Sequence, residues 1–166
     1  MKTINIIFPN QLFKESSLLK SDSTHYLIEE ELFFNHFNFH KQKLYFHRCS
    51  MKNYYDFLSQ KKLDVNYINS FEEKSDIRKF IDGLDLKEIN KIKCIDPEDN
   101  WLEKRLKKAC EKKGIEVELF ENPLFINSKK DLEPFFREDK KKLFQTSFYK
   151  SERNRLGILL DNENNP

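Results

Sequence analysis

A chain of 166 residues has room for one domain with a substantial core. Charged residues make up 35% and the apolar set 38%, and the 16 Phe and 6 Tyr argue against disorder. With 30 basic and 28 acidic residues the net charge is +2, which gives no electrostatic case for nucleic-acid binding by the chain as a whole. The three cysteines, Cys49, Cys94 and Cys110, form neither a CxxC pair nor a zinc pattern and read as thiols in a reducing compartment. No window approaches the roughly 18 apolar residues of a membrane span, and the N-terminus is too polar for a signal peptide. The expected setting is cytoplasmic, with no membrane partner.

In chain order, "INIIFP" (4–9) predicts a buried strand that stops at Pro9, followed by the amides Asn10 and Gln11. "HYLIEE" (25–30) predicts a second strand ending in acid. "HKQKLYFHRCSMKNYYDFLSQKKL" (40–63) carries Leu44, Met51, Tyr55 and Leu58 at helical spacing. A third strand is predicted at 65–70, then a helix at 76–86 capped by Ser75 or Asp76. A fourth strand, "KIKCIDP" (91–97), precedes the clearest helix, 99–114, with Asp99 or Asn100 as N-cap and Gly114 just past its end. After a fifth strand at 115–122, two more helices are expected, at 128–142 and 143–160. The tail "DNENNP" has the look of a cut or disordered end.

Strands alternating with helices predict an α/β fold: a Rossmann-like, doubly wound, five-stranded parallel sheet of order 3-2-1-4-5, with helices on both faces. One α/β domain is expected over 1–166, with 123–160 a helical C-terminal extension. The switch point then lies between strands one and four, where such sheets hold ligands. It would bring Pro9, Asn10 and Gln11 beside Asp96, Pro97, Glu98 and Asp99, with Glu29 to Glu31 as the neighbouring wall.

This crest lacks glycine: Gly83, Gly114 and Gly157 are the only three, and none follows strand one. A GxGxxG dinucleotide site and a P-loop are therefore excluded. No nucleophile elbow or HExxH motif occurs, and a hydrolase with Asp96 or Glu29 as base has no nucleophile or metal set beside it. The cluster "IEEELFF" (28–34) reads two ways: as a solvated acidic turn with core aromatics, or as carboxylates and stacking rings for a flat ligand. "DPEDNW" (96–101) reads as a capped helix start or as a binding edge. His47 and Arg48 read as packing residues with hydrogen-bonded tips, whereas His40 and Lys41 lie closer to the crest. The last helix is apolar on more than one face, as a partner surface or a wrap onto the sheet would require.

Taken together, "FPNQL" (8–12), "HKQK" (40–43), "HRCSM" (47–51), "DPEDNWLEKRL" (96–106) and "FYKSERNRLGILLDNENNP" (148–166) resemble one family in order and over nearly the full chain. They are similar to the N-terminal domain of the deoxyribodipyrimidine photolyase-related proteins, in the bacterial iron–sulfur branch of the cryptochrome/photolyase superfamily. The family commonly has Asp-Gln-Leu at the first strand end, where Asn10 stands in place of the acid here. The resemblance implies an antenna domain binding 6,7-dimethyl-8-ribityllumazine through Pro9, Asn10, Gln11, Leu12, Glu29, Glu30, Phe33, Phe34, His40, Lys41 and Asp96. It implies no catalytic residues in this chain. FAD and a [4Fe-4S] cluster would belong to a C-terminal FAD-binding helical domain in cis, and damaged DNA would be engaged only by that full-length flavoprotein, a DNA lyase or a blue-light receptor. The alternative is a free-standing Rossmann-like ligand-binding or interaction module.

Overall fold

The computed structural model describes residues 2–20 and 22–161. It divides into a unit ending at Asn122 and a second unit beginning at Pro123. Five strands, β1 (Lys2–Ile7), β2 (Thr24–Ile28), β3 (Val65–Ile68), β4 (Ile89–Ile95) and β5 (Glu116–Phe120), form one sheet of order β3-β2-β1-β4-β5. All four pairings are parallel, so the expected α/β architecture and its switch point between β1 and β4 are present.

Each strand ends two residues before its predicted segment does. Phe8 and Pro9, Glu29 and Glu30, and Asp96 and Pro97 therefore leave the ladder and build the crest, all of them buried. Helices of the first unit are α1 (Glu31–Phe34), α2 (Lys41–Gln60), α3 (Ile77–Asp82) and α4 (Asn100–Lys113). One face of the sheet buries Ile4, Ile6, Phe8, Ile28 and Ile92 against Ile77, Phe80 and Ile81 of α3 and Leu102, Leu106 and Cys110 of α4. The other buries Ile7, Leu27 and Ile95 against Met51, Tyr54 and Leu58 of α2. The alternation of side chains along a strand sends neighbours such as Ile6 and Ile7 to opposite cores.

Local signals explain the helix ends. Asp76 caps α3 by accepting from Arg78 N, and Asp99 caps α4 by accepting from Trp101 N and Leu102 N. Gly114 terminates α4 at φ 69, a left-handed conformation that glycine adopts without steric cost. The helix expected over 76–86 stops at Asp82, since Gly83 closes it. Within β1, the polar Asn5 is fully buried opposite His25 of β2. Its Nδ2 donates to Leu18 O at 2.9 Å and so ties down the 3-10 turn Ser17–Lys20.

The second unit holds α5 (Lys129–Leu132) and α6 (Gln145–Leu156). The helix expected over 128–142 is a single turn, because Pro134 lacks the N–H that continuation needs and restricts Glu133 before it. The helix expected over 143–160 is shorter at both ends and closes at Gly157, φ 64. No described residue of this unit is buried; Phe135, Phe136 and Phe148 form a small ring cluster with centroids 4.8 to 5.4 Å apart. The tail expectation falls on residues 162–166, outside the described residues.

Candidate functional site

At the switch point the loop after β1 is fastened to the end of β4 by two amides. Gln11, 2% exposed, donates from Nε2 to Ile95 O at 2.8 Å and to Asp96 O at 3.2 Å, while its Oε1 accepts from Phe8 N at 3.4 Å. The side chain is thus consumed in stapling two strand ends, which replaces the glycine turn of a dinucleotide fold. Asn10 donates from Nδ2 to Pro97 O at 3.3 Å. Its Oδ1 is buried and has no hydrogen-bond partner among the described residues. Such an atom costs desolvation energy unless something donates to it.

Asp96 sits across the switch point, 5% exposed. Its N–H donates to Phe120 O, its carbonyl accepts from Asn122 Nδ2 at 3.1 Å, and its Oδ1 accepts from Glu98 N at 3.0 Å. Glu98 has φ 55, a conformation sparsely occupied by residues with a Cβ. Asp99 follows as the α4 cap, so "DPEDNW" is a helix start and a crest edge at once.

The wall from β2 contains three acids with three fates. Glu29, fully buried, accepts from Arg48 Nε at 2.8 Å and Nη2 at 2.7 Å, from Tyr67 Oη at 2.6 Å and from Ser70 N at 2.9 Å. Burial alone would raise its pKa, but the bonds from Arg48, Tyr67 and Ser70 outweigh it and hold the carboxyl below the usual range. Glu30, also fully buried, accepts only backbone N–H groups, from Leu32 at 2.6 Å and Ile77 at 3.4 Å. Burial therefore dominates and pushes it up to about 7. Glu31 is held low, against the effect of burial, by Arg105 at 2.5 Å and His36 at 3.2 Å.

Of the expected contact residues, Pro9, Asn10, Gln11 and Asp96 are brought together. Leu12 packs on the α2-side core. Phe34 is 5% exposed and belongs to that same core, and Phe33 bridges both cores. His40 turns Nδ1 back to cap α2 through Gln42 N at 3.2 Å, and Lys41 is exposed. The rings that do face outward are others. His36 stands 4.5 Å from Phe37 and 5.7 Å from Trp101, which are 56% and 54% exposed. Arg48, read as a packing residue with a hydrogen-bonded tip, is that and more: its fork neutralises Glu29 and its guanidinium lies 4.9 Å from the ring of Phe71. The i, i+1 pair Glu29–Glu30 gave no sequence sign of that ion pair, whose partners are 19 residues apart.

The thiols do not fit an iron–sulfur cluster: Cys49 is exposed, Cys94 and Cys110 are buried, and burial drives the Cys110 thiol up to about 12. Among the described residues no three His, Cys, Asp or Glu side chains are gathered to hold a metal ion. No described helix is long and apolar enough to cross a membrane.

Fold and crest together define an open α/β domain of the doubly wound class, with its switch point between β1 and β4. Residues 5–166 match the family described as deoxyribodipyrimidine photo-lyase-related protein, and the chain belongs to that family. It is also 33% identical over 171 residues to an uncharacterized protein of Acanthamoeba polyphaga mimivirus, in an alignment covering 97% of this chain and 86% of the relative.

Proposed function

We propose that this chain is the antenna-chromophore-binding domain of a photolyase-like flavoprotein, with 6,7-dimethyl-8-ribityllumazine at the β1–β4 crest. The observation that carries the reading is the buried, unpartnered Oδ1 of Asn10 at the switch point of a photolyase-related fold. A ribityl hydroxyl or ring N–H would satisfy that atom, and Asp96 adds a second acceptor across the strand gap. His36, Phe37 and Trp101 offer aromatic surface near the same edge. When bound, the lumazine would absorb light and pass the excitation to a flavin by resonance transfer. That role asks this chain for fixed orientation and exclusion of water, which fastened strand ends supply. FAD and the [4Fe-4S] cluster fall to a helical domain following in cis, and with it light-driven repair of damaged DNA or blue-light signalling. The second unit, with Phe144, Tyr149, Ile158 and Leu159 at least half exposed, has the apolar surface that such a domain would cover.

Calorimetric titration with the lumazine tests the reading. One saturable site per chain is expected, weakened about tenfold by Asn10→Leu, the worth of a buried hydrogen bond of about 1.4 kcal/mol. Absence of binding, or binding that ignores Asn10, contradicts it. Gln11→Ala and Glu29→Ala would be poor probes, since both side chains are committed inside the fold.

One observation favours a second reading, a free-standing α/β ligand-binding or interaction module. The viral relative is 86% covered by the alignment, and the remainder is too short for a helical flavin domain. Whether the reading frame continues past Pro166 separates the two.

A further inference from the structure

We propose that the outer face of α2 is a self-association surface, on which a second copy of this chain lays its own α2 antiparallel about a two-fold axis at Cys49. The helix turns Met51, Tyr54 and Leu58 into the core. Its opposite side is exposed and carries Gln42, Tyr45, Cys49, Lys52 and Asp56, spaced alternately by three and four residues, with Phe46 and Asn53 beside them. That spacing is the seam of a helix pair. A helix facing only water is polar along such a side. Here Tyr45 is 74% and Phe46 70% exposed, and Cys49, one turn on, is exposed as well. The Tyr45 and Cys49 side chains interact, so the three make one continuous patch.

Charge selects the orientation. Asp56 is the only acid of α2 and lies in its C-terminal half, while Lys41 opens the helix, where a cation opposes the macrodipole. Among the described residues neither lies within ion-pair distance of an opposite charge. Antiparallel packing centred on Cys49 sets positions equally far before and after it against each other. Asp56 of one copy then stands opposite Gln42 of the other, with Lys41 beside it, and Asn53 stands opposite Tyr45. The stem of Lys52, whose ammonium sits 3.4 Å above the Tyr67 ring, covers Phe46 of the other copy. Each contact occurs twice, as a two-fold interface requires. Parallel packing would instead set Lys41 beside Lys41 and Asp56 beside Asp56.

This complementarity of the stripe with itself is what commits the occupant to a second copy. A lipid surface would need a broad apolar face flanked by cations, whereas this stripe holds two aromatic rings and ends in Asp56. The two helices, of 20 residues and about 30 Å each, make an interface at the small end of the stable range. Association is therefore expected at about micromolar concentration rather than as a permanent dimer.

Sedimentation velocity of the full chain under reducing conditions, over a concentration series, tests the assignment. A monomer–dimer equilibrium is expected, with Tyr45→Ser plus Phe46→Ser raising its dissociation constant at least about tenfold. Lys41→Asp and Asp56→Lys should each weaken it about fivefold, from two exposed pairs per dimer, and the two together should restore it. Cys49 is the one exposed thiol, so a short bis-maleimide should join the copies through it. The control Phe144→Ser plus Ile158→Ser, in the second unit, should dimerise as the parent does. Circular dichroism confirms that each variant is folded. The assignment is overturned if the parent stays monomeric throughout, if the Tyr45 and Phe46 variant dimerises like the parent, or if the double charge swap is no better than the singles.

Discussion

The carboxylate of Glu29 accepts four hydrogen bonds, two of them from one guanidinium, whereas that of Glu30 beside it accepts two from backbone amides. This difference in partners sets opposite pH dependences. For Glu30 the folded value of about 7 exceeds the usual 4.5. Its protonated form suits the fold, so stability falls as pH rises from about 4.5 to about 7 and the loss is complete above that. The loss is bounded by about 3 kcal/mol. Glu30→Gln should therefore stabilise the protein more at pH 8 than at pH 5, as read by urea midpoints at the two pH values. Glu29 works the other way: its folded value lies below the usual one, and its contribution is present at neutral pH and lost as pH falls through that lowered value. Removing its partner by Arg48→Ala should cost about 2 kcal/mol. That is less than the 3–5 kcal/mol of a fully buried pair, because Arg48 is 35% exposed and Tyr67 and Ser70 stay in place. Such long-range pairings were not legible in the sequence. The order of the acids was visible, but nothing in "IEEELFF" reveals which one a guanidinium from α2 will reach.

At the scale of elements, the caps of α3 and α4 and the left-handed Gly114 were readable because each acts within a few residues of itself. Gly114→Ala is expected to cost about 1 kcal/mol. A Cβ there meets nothing within 4 Å, so the whole loss is backbone conformation. Asp99→Ala should cost a similar amount, since two N–H groups lose their acceptor. Thermal unfolding of both variants checks these figures. The short helix α1 escaped the sequence reading, since four residues show no period and its cap, Glu30, looked like the end of a strand. Of the two readings of "IEEELFF", core aromatics or stacking rings, the turn of α1 favours the first for Phe34, which it aims into the core. His36 and Trp101 went unnoticed because their proximity depends on the segment after α1 meeting the first turn of α4.

For the whole molecule, alternation of strand and helix was enough to give the sheet order, as right-handed crossovers leave few parallel arrangements. The second unit carries no buried residue among those described. Ending the chain after Asn122 is expected to leave the sheet's cooperative unfolding in place, with a urea midpoint close to that of the parent. A broad, non-cooperative transition would show that residues beyond Asn122 complete the core.

We propose the switch point, through Asn10, as the ligand position of this photolyase-related domain. A crystal structure of the chain grown with 6,7-dimethyl-8-ribityllumazine tests it most directly. The chromophore is expected at the β1–β4 crest, with a donor within hydrogen-bond distance of Asn10 Oδ1. A chromophore bound elsewhere, or an Asn10 Oδ1 satisfied by the protein itself, would contradict it.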